Sequence, residues 1–218
     1  NNGWAAVLWI GECAYDEATI KGAEWEDAML QGRAALVTGS TSGIGYAIAE
    51  ALAAEGSQIM MNGFGDANEI EDMRASMARR HNVDVHYSGA DLTEPDQIEG
   101  LVDDTASAFG SLDILVNCAG IQIIAPIDEF PLDGWDAMIA IHLSATFHTT
   151  RLALPHMKER RWGRIVNMAS AHGLVASPFK APYVAAKHGV VGFTKGTALE
   201  AGPWQITCNA ICPGFVKT

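Results

Sequence analysis

The chain is poor in basic residues. Fourteen lysines and arginines stand against 26 aspartates and glutamates, a formal net charge of −12, which argues against a surface built for nucleic acid or an anionic membrane. Long apolar runs are also missing: none approaches the ~20 residues that a membrane span requires. The four cysteines, Cys13, Cys118, Cys208 and Cys212, contain no Cys-x-x-Cys pair. Three of them stand in apolar, strand-like stretches, the pattern of reduced, buried thiols in a cytoplasmic protein rather than a disulfide framework or a metal site. No internal repeat or low-complexity segment occurs. Neither a metal, a nucleic acid nor a membrane is expected as partner.

What is present, in 218 residues, is enough chain for one domain with a large core. The segment 1–28 stands apart: Trp4–Ile10 is apolar but short and lacks a basic flank, and Glu17–Glu26 is acidic and only weakly periodic. The domain is expected over 29–218, with 1–28 an extension or, alternatively, a short interaction arm.

From Ala34 onward apolar strands alternate with amphipathic helices. Ala34–Val37 reads as a buried strand, followed by Thr38-Gly39-Ser40-Thr41-Ser42-Gly43-Ile44-Gly45 and a helix with Ile44, Ile48 and Leu52 on one stripe. Strand, glycine-rich turn and helix together form a phosphate site: glycines let the backbone approach a pyrophosphate, and the helix N-terminus offers oriented N–H groups. The bland alternative is a glycine-rich connection without a ligand. Gln58–Met61 reads as the second strand and leads into Asn62-Gly63-Phe64-Gly65-Asp66. No lysine or arginine lies there or in the glycine turn, so nothing awaits a ribose 2′-phosphate, which favours NAD over NADP. A helix over Asp66–Arg80, a strand over Val83–Tyr87, Thr93 as an N-cap and a strand at Ile114–Val116 complete a βαβαβαβ series. The implied fold is α/β, a parallel, doubly wound sheet with ligands at the C-terminal ends of its strands. Asp91, just after the third of these strands, suits an adenine amino group, or equally an ordinary turn.

Asn167–Lys187 carries the candidate chemistry. Tyr183 and Lys187 are four residues apart and stack on one face of a helix. An ammonium beside a phenol favours the phenolate and lowers its pKa toward the range of a general acid/base. Ser170, at a strand end, can offer a hydroxyl to the same substrate oxygen. Tyr-x-x-x-Lys alone more often marks an amphipathic face, and gains meaning from the nucleotide site upstream.

The glycine turn, Asn117-Cys118-Ala119-Gly120, Ser170, Tyr183-x-x-x-Lys187 and Pro213-Gly214, in this order and spacing, resemble the short-chain dehydrogenase/reductases over 29–218. The stretches Gly120-Ile121-Gln122, Ala169–Ser177 and Tyr183–Gly189 are similar in particular to bacterial D-3-hydroxybutyrate dehydrogenases. The resemblance implies a single Rossmann-type domain binding NAD. Tyr183 would be the proton donor and acceptor, Lys187 its partner and a ribose ligand, and Ser170 the hydrogen-bond donor to the carbonyl oxygen. Gly39, Ser40, Thr41, Gly43, Ile44, Gly45, Phe64, Asp91, Leu92, Asn117, Ala119 and Gly120 would line the cofactor site. Pro213, Gly214, Val216 and Thr218 would join them, with Thr218 at the carboxamide. Gln122, His172 and Lys180 would hold the carboxylate of a small 3-hydroxy or 3-oxo acid, with Phe215 as an aromatic wall. Without the resemblance, His172 reads as a loop histidine and Lys180 as a surface charge. A homo-oligomer, a tetramer, is also implied.

Four departures stand out. His142 replaces the family's asparagine in the proton path, and an imidazole can shuttle protons near neutrality. Cys118 replaces the second asparagine of the strand-end turn, and Phe215 a tryptophan. The sequence stops six residues after Cys212, where family members continue, so a domain incomplete at its C-terminus and an open sheet edge are expected. The reading is an NAD-dependent oxidoreductase for D-3-hydroxybutyrate and acetoacetate. The alternatives are another 3-oxoacyl or polyol substrate, or an NAD-binding module without turnover.

Overall fold

A computed structural model describes residues 6–8 and 30–216. Seven strands form one sheet: β1 (Ala6–Leu8), β2 (Ala34–Val37), β3 (Gln58–Asn62), β4 (Val85–Ser88), β5 (Ile114–Asn117), β6 (Gly163–Met168) and β7 (Ile206–Cys212), in the order β1-β7-β6-β5-β2-β3-β4. Six strands, β2 to β7, are parallel; β1 pairs antiparallel with β7, Ala6 facing Cys212. The rest of segment 1–28 lies outside the described residues. The chain leaves β2 toward β3 and β4 on one side and returns to β5, β6 and β7 on the other. This reversal opens a crevice between the C-terminal ends of β2 and β5, the ligand position of doubly wound sheets.

Helices cover both faces, so the central strands are buried end to end. Leu36, Leu115, Ile165 and Cys208 point to one face. There they meet Leu101 and Val102 of α3 (Pro95–Phe109), Met157 of α5 (Ala145–Arg160) and Ala201 of α6 (Ala181–Ala201). Ala35, Val37, Ile114 and Val116 point to the other, against α1 (Gly43–Ala54) and Met77 of α2 (Ala67–His81). In α1 the tightly buried line is Gly45, Ala49 and Ala53, not the expected Ile44, Ile48 and Leu52. Small residues let the helix backbone approach the strand turn, and Ile48 and Leu52 pack on the flank.

The helical stretch from Leu132 to Arg160 is continuous but not uniform. α4 (Leu132–Ile139) passes through a π turn at Ala140–Ser144 into α5. Pro182 sits in the first turn of α6, where its missing N–H breaks no bond. α3 is capped at Glu94 with Pro95 at its first position, one residue later than the expected Thr93 cap.

Beneath the crevice a buried polar chain ties two strands and two helices together. Thr149 Oγ1 donates to Asn117 Oδ1 (2.7 Å), Asn117 Nδ2 to Asn167 Oδ1 (2.9 Å), and Asn167 Nδ2 to Thr194 Oγ1 (2.9 Å). Such networks contribute when every member is satisfied and penalise folding when one is orphaned. Asn167→Leu, which strands Asn117 Nδ2, is expected to lower stability in urea unfolding by about 3 kcal/mol, whereas Thr149→Val together with Asn117→Leu and Asn167→Leu should recover part of that loss.

Candidate active site

The strand ends and the loops that follow them enclose a cleft of about 900 Å³. Its floor begins at the glycine turn. Gly39 has φ +63°, and a Cβ there would lie 2.7 Å from the Cα of Ala119; a Cβ on Gly45 would collide with the carbonyl oxygen of Gly39. Neither space tolerates a side chain, and the result is a shallow backbone cradle at the N-terminus of α1 that fits a pyrophosphate. Gly39, Thr41, Gly43, Ile44, Gly45, Phe64, Leu92, Ala119 and Gly120 all line the cleft, as do Pro213, Gly214 and Val216.

Three expected cofactor residues do not reach it. Ser40 is fully buried: its hydroxyl donates to Val37 O (2.7 Å) and accepts from Asn62 N (3.0 Å), bracing the turn from within. Asn117 spends its amide in the polar chain below the crevice. The Oδ1 of Asp91 accepts from the backbone N–H of Thr93 (2.9 Å) and from its hydroxyl (2.8 Å), as a turn aspartate does. Thr218 lies outside the described residues. Conversely Asn62, Ala90, Met168 and Ala169 line the cleft without having been singled out. Each ends or follows a parallel strand, the position that should have marked them. Asn62 donates to Ser88 O (3.1 Å) and Ala90 O (2.9 Å), holding the ends of β3 and β4 together.

At the other end of the cleft stand Ser170, Tyr183 and Lys187. Ser170 is the last residue before a short turn and accepts from His172 N (3.1 Å). Its hydroxyl is also near enough to the Tyr183 phenol to favour the phenolate. Lys187, one turn along α6, is 5% exposed; its ammonium donates to Met168 O at 2.5 Å and lies 5.6 Å from the centre of the Tyr183 ring. Burial drives the titration of both groups. It pushes the Tyr183 phenol up, with the Ser170 hydroxyl opposing, and pulls Lys187 down to about 8. This corrects the expectation of a phenol lowered by its ammonium: desolvation of the phenolate dominates. Burial likewise raises Cys118, which lines the cleft, to about 11, leaving it a protonated thiol at neutral pH.

Gln122, His172 and Lys180 face the same space. His172 contacts Ser177 Oγ (2.9 Å) through Nε2 and stands edge-on to Tyr183 at 5.9 Å. Lys180 is the residue that precedes the first turn of α6. Just before it, Phe179 holds a left-handed φ of 65°, and its carbonyl accepts from Ala125 N (3.1 Å), joining the two loops at the cleft mouth. Phe215 is 99% exposed and forms rim rather than wall.

His142 is also brought here, but not as a proton carrier near neutrality. It is 3% exposed, and desolvation together with the Lys187 charge lowers it to about 4. A group depressed in the folded state resists a proton that the unfolded chain takes up. Stability is therefore retained above pH 6.5 and lost as pH falls toward 4, by about 3 kcal/mol over that window. Urea unfolding at pH 7 and pH 4.5 should show a smaller acid loss for His142→Asn than for the wild type.

Comparison with known proteins agrees with this geometry. The short chain dehydrogenase family matches residues 33–218. The chain is 57% identical to a D-beta-hydroxybutyrate dehydrogenase of Cupriavidus necator over 190 residues, 87% of this chain and 73% of that one. It is 51% identical to a D-beta-hydroxybutyrate dehydrogenase of Rhizobium meliloti, over 85% and 72% of the two chains. A crystal structure from Sinorhizobium meliloti, described as a short-chain alcohol dehydrogenase, superposes with a TM-score of 0.82 at 32% identity, covering 87% of this chain and 74% of the other. With the glycine cradle, the Ser170–Tyr183–Lys187 cluster and a matching sheet, the chain belongs to the short-chain dehydrogenase family.

Proposed function

We propose that the protein oxidises D-3-hydroxybutyrate to acetoacetate, reversibly, with NAD. The observation that carries this reading is one cleft bordered both by Ser170, Tyr183 and Lys187 and by Gln122, His172 and Lys180. The likeness to two D-beta-hydroxybutyrate dehydrogenases supports the same substrate.

Selection of NAD is supported by the adenosine end of the cleft. The lysines among its lining residues are Lys180 and Lys187, both at the Tyr183 end; Gly63 and Phe64 bring no cation. The late acid Asp66 is occupied as the cap of α2, its Oδ1 accepting from Asn68 N (2.9 Å) and Glu69 N (3.1 Å). A 2′-phosphate would meet no compensating charge there. When bound, the nicotinamide supplies the acceptor for the substrate's hydride. The glycine cradle and the α1 N-terminus would hold its pyrophosphate, and Lys187 its ribose.

The protein's own groups do the rest. Lys180 supplies charge and Gln122 an amide donor for a carboxylate, and His172 adds a ring nitrogen beside Tyr183. Ser170 orients the alcohol oxygen, and the Tyr183 phenolate takes its proton. Because burial raises Tyr183, the base form is scarce at neutral pH and the acid form abundant. We also infer a cytoplasmic homo-oligomer, a tetramer by resemblance.

Initial rates from NADH absorbance test the reading: turnover is expected for the D-acid with NAD, and not for its L-enantiomer or with NADP. Lys180→Ala should raise KM for the hydroxy acid by roughly 10- to 100-fold while sparing a neutral alcohol. Equal loss on both substrates would refute the carboxylate clamp. Tyr183→Phe should retain NADH binding and lose about 10²- to 10⁴-fold in kcat. Oxidation is expected to accelerate as pH rises above neutrality, and reduction to slow, in paired pH profiles of the two directions.

A further inference from the structure

The turn after β3 runs from Asn62 to Asp66, and Asn62, Gly63 and Phe64 line the cleft. A different group anchors the carbonyl of each. Ser40 N donates to Asn62 O (2.7 Å), the Tyr87 phenol to Gly63 O (2.8 Å), and the Thr41 hydroxyl to Phe64 O (2.9 Å). Asp66 closes the turn as the cap of α2. Gly63 has φ +151°, and a Cβ there would lie 2.5 Å from Thr41 Oγ1. The close approach of the two loops therefore requires glycine.

Tyr87 is the anchor that comes from outside both loops. It stands near the end of the edge strand β4, opposite Met61, and is 36% exposed. A Cβ on Gly89 would come within 3.1 Å of the phenol oxygen, so a glycine leaves the hydroxyl its place. The ring does not border the cleft, so it acts on a ligand there through Gly63. An exposed hydroxyl adds little to the core, because water would satisfy phenol and carbonyl if the bond were missing. What the bond sets is where the turn stands.

That position matters because the usual discriminating group is missing. NAD sites of doubly wound sheets place a carboxylate after the second strand of the fold, where it accepts from the ribose 2′-hydroxyl. Among the described residues that line this cleft there is no aspartate or glutamate, and Asp66 Oδ1 is directed to the N–H groups of α2. Discrimination between a hydroxyl and a phosphate then falls to the room that the turn leaves.

Resting on the NAD reading above, we propose that Tyr87 is a positioning residue for cofactor selection. Its phenol, with the Thr41 hydroxyl, fixes the Gly63–Phe64 backbone where a ribose 2′-hydroxyl fits and a 2′-phosphate does not. Thr41 belongs to the glycine turn and Phe64 to the turn after β3, so the two ends of the adenosine site form one unit. A turn fixed before the ligand arrives loses little ordering entropy on binding.

Tyr87→Phe removes the hydroxyl alone. Calorimetric titration with ADP-ribose should show a Kd about fivefold weaker than that of the wild type, the size of one neutral hydrogen bond. The Kd of 2′-phospho-ADP-ribose should change by less than about twofold, so selectivity falls. Nicotinamide mononucleotide, which lacks the adenosine half, should bind both proteins alike; an equal loss for it and for ADP-ribose would mean a general disturbance and overturn the proposal. Thr41→Val combined with Tyr87→Phe should weaken ADP-ribose by less than the product of the single effects. Independent losses would overturn the shared turn.

Hydrogen exchange of the ligand-free protein gives a readout without cofactor or turnover. The segment 62–66 should exchange faster in Tyr87→Phe while 183–187 is unchanged; equal exchange in both proteins would refute the anchor. A wild type that binds ADP-ribose and its 2′-phosphate equally would sink the NAD reading, and this proposal with it. A wild type that prefers ADP-ribose, beside a Tyr87→Phe protein that keeps the preference, would sink the role of Tyr87 alone.

Discussion

The site depends on keeping one ammonium out of water. Lys187 is 5% exposed and titrates at about 8 rather than 10.5, so the charged form is disfavoured by about 3 kcal/mol relative to solvent. Nothing in a helix requires this. It follows from packing α6 against β7 and the turn after β6: Val190 and Val191 bury against Ala210 and Cys212, and Gly173 lies so close to the Lys187 carbonyl that a Cβ there would approach it to 2.8 Å. The cost is partly offset by the Met168 carbonyl. What remains makes the ammonium a group that responds to whatever enters the cleft. A carboxylate or a phenolate arriving beside it relieves the desolvation that burial imposed.

The parallel sheet explains why so distant residues converge. Each parallel strand delivers its C-terminal end to one rim, so the glycine turn after β2, the Asn62 corner after β3, the Ala119–Gln122 loop after β5 and Ser170 after β6 become neighbours without long connections. The rim is then fixed from behind. Asn117 and Asn167, on adjacent strands, bond to each other and to Thr149 and Thr194 on two helices. Ala171 N donates to Pro213 O (2.8 Å) and joins the turn after β6 to the end of β7. Catalytic geometry here rests on backbone ends braced by buried polar groups.

Features encoded in local spacing were legible in the sequence. Tyr183 and Lys187 had to stack once the helix formed, and a strand–glycine–helix order had to make a tight backbone cradle. Features that depend on which way a polar side chain turns were not. Ser40, Asp91 and Asn117 are in the right loops, yet each finds a backbone or side-chain partner away from the cleft, and short polar residues at strand ends always have that option. The small-residue line of α1 was hidden because alanine and glycine carry little periodic signal beside isoleucine. His142 reads as a neutral-range shuttle from its type alone; its depression to about 4 comes from burial by residues far away in sequence.

Charge makes the same point at the scale of the molecule. With a net charge of −12, the protein repels at long range both the dinucleotide and the hydroxy acid proposed for it. Screening confines that repulsion to about 8–10 Å at physiological salt, so recognition must be local. The cleft meets this need in two separate ways. Its glycine-turn end offers backbone N–H groups at the start of α1, which carry no net charge to be screened or titrated. Its Tyr183 end gathers Lys180 and Lys187 within an acidic protein. An anion reaching that end leaves a repulsive surface for a low-dielectric pocket, where a cation acts more strongly than it would in water. A neutral His142 is part of that arrangement: an imidazolium would add a third charge beside an ammonium already short of solvent, and burial excludes it.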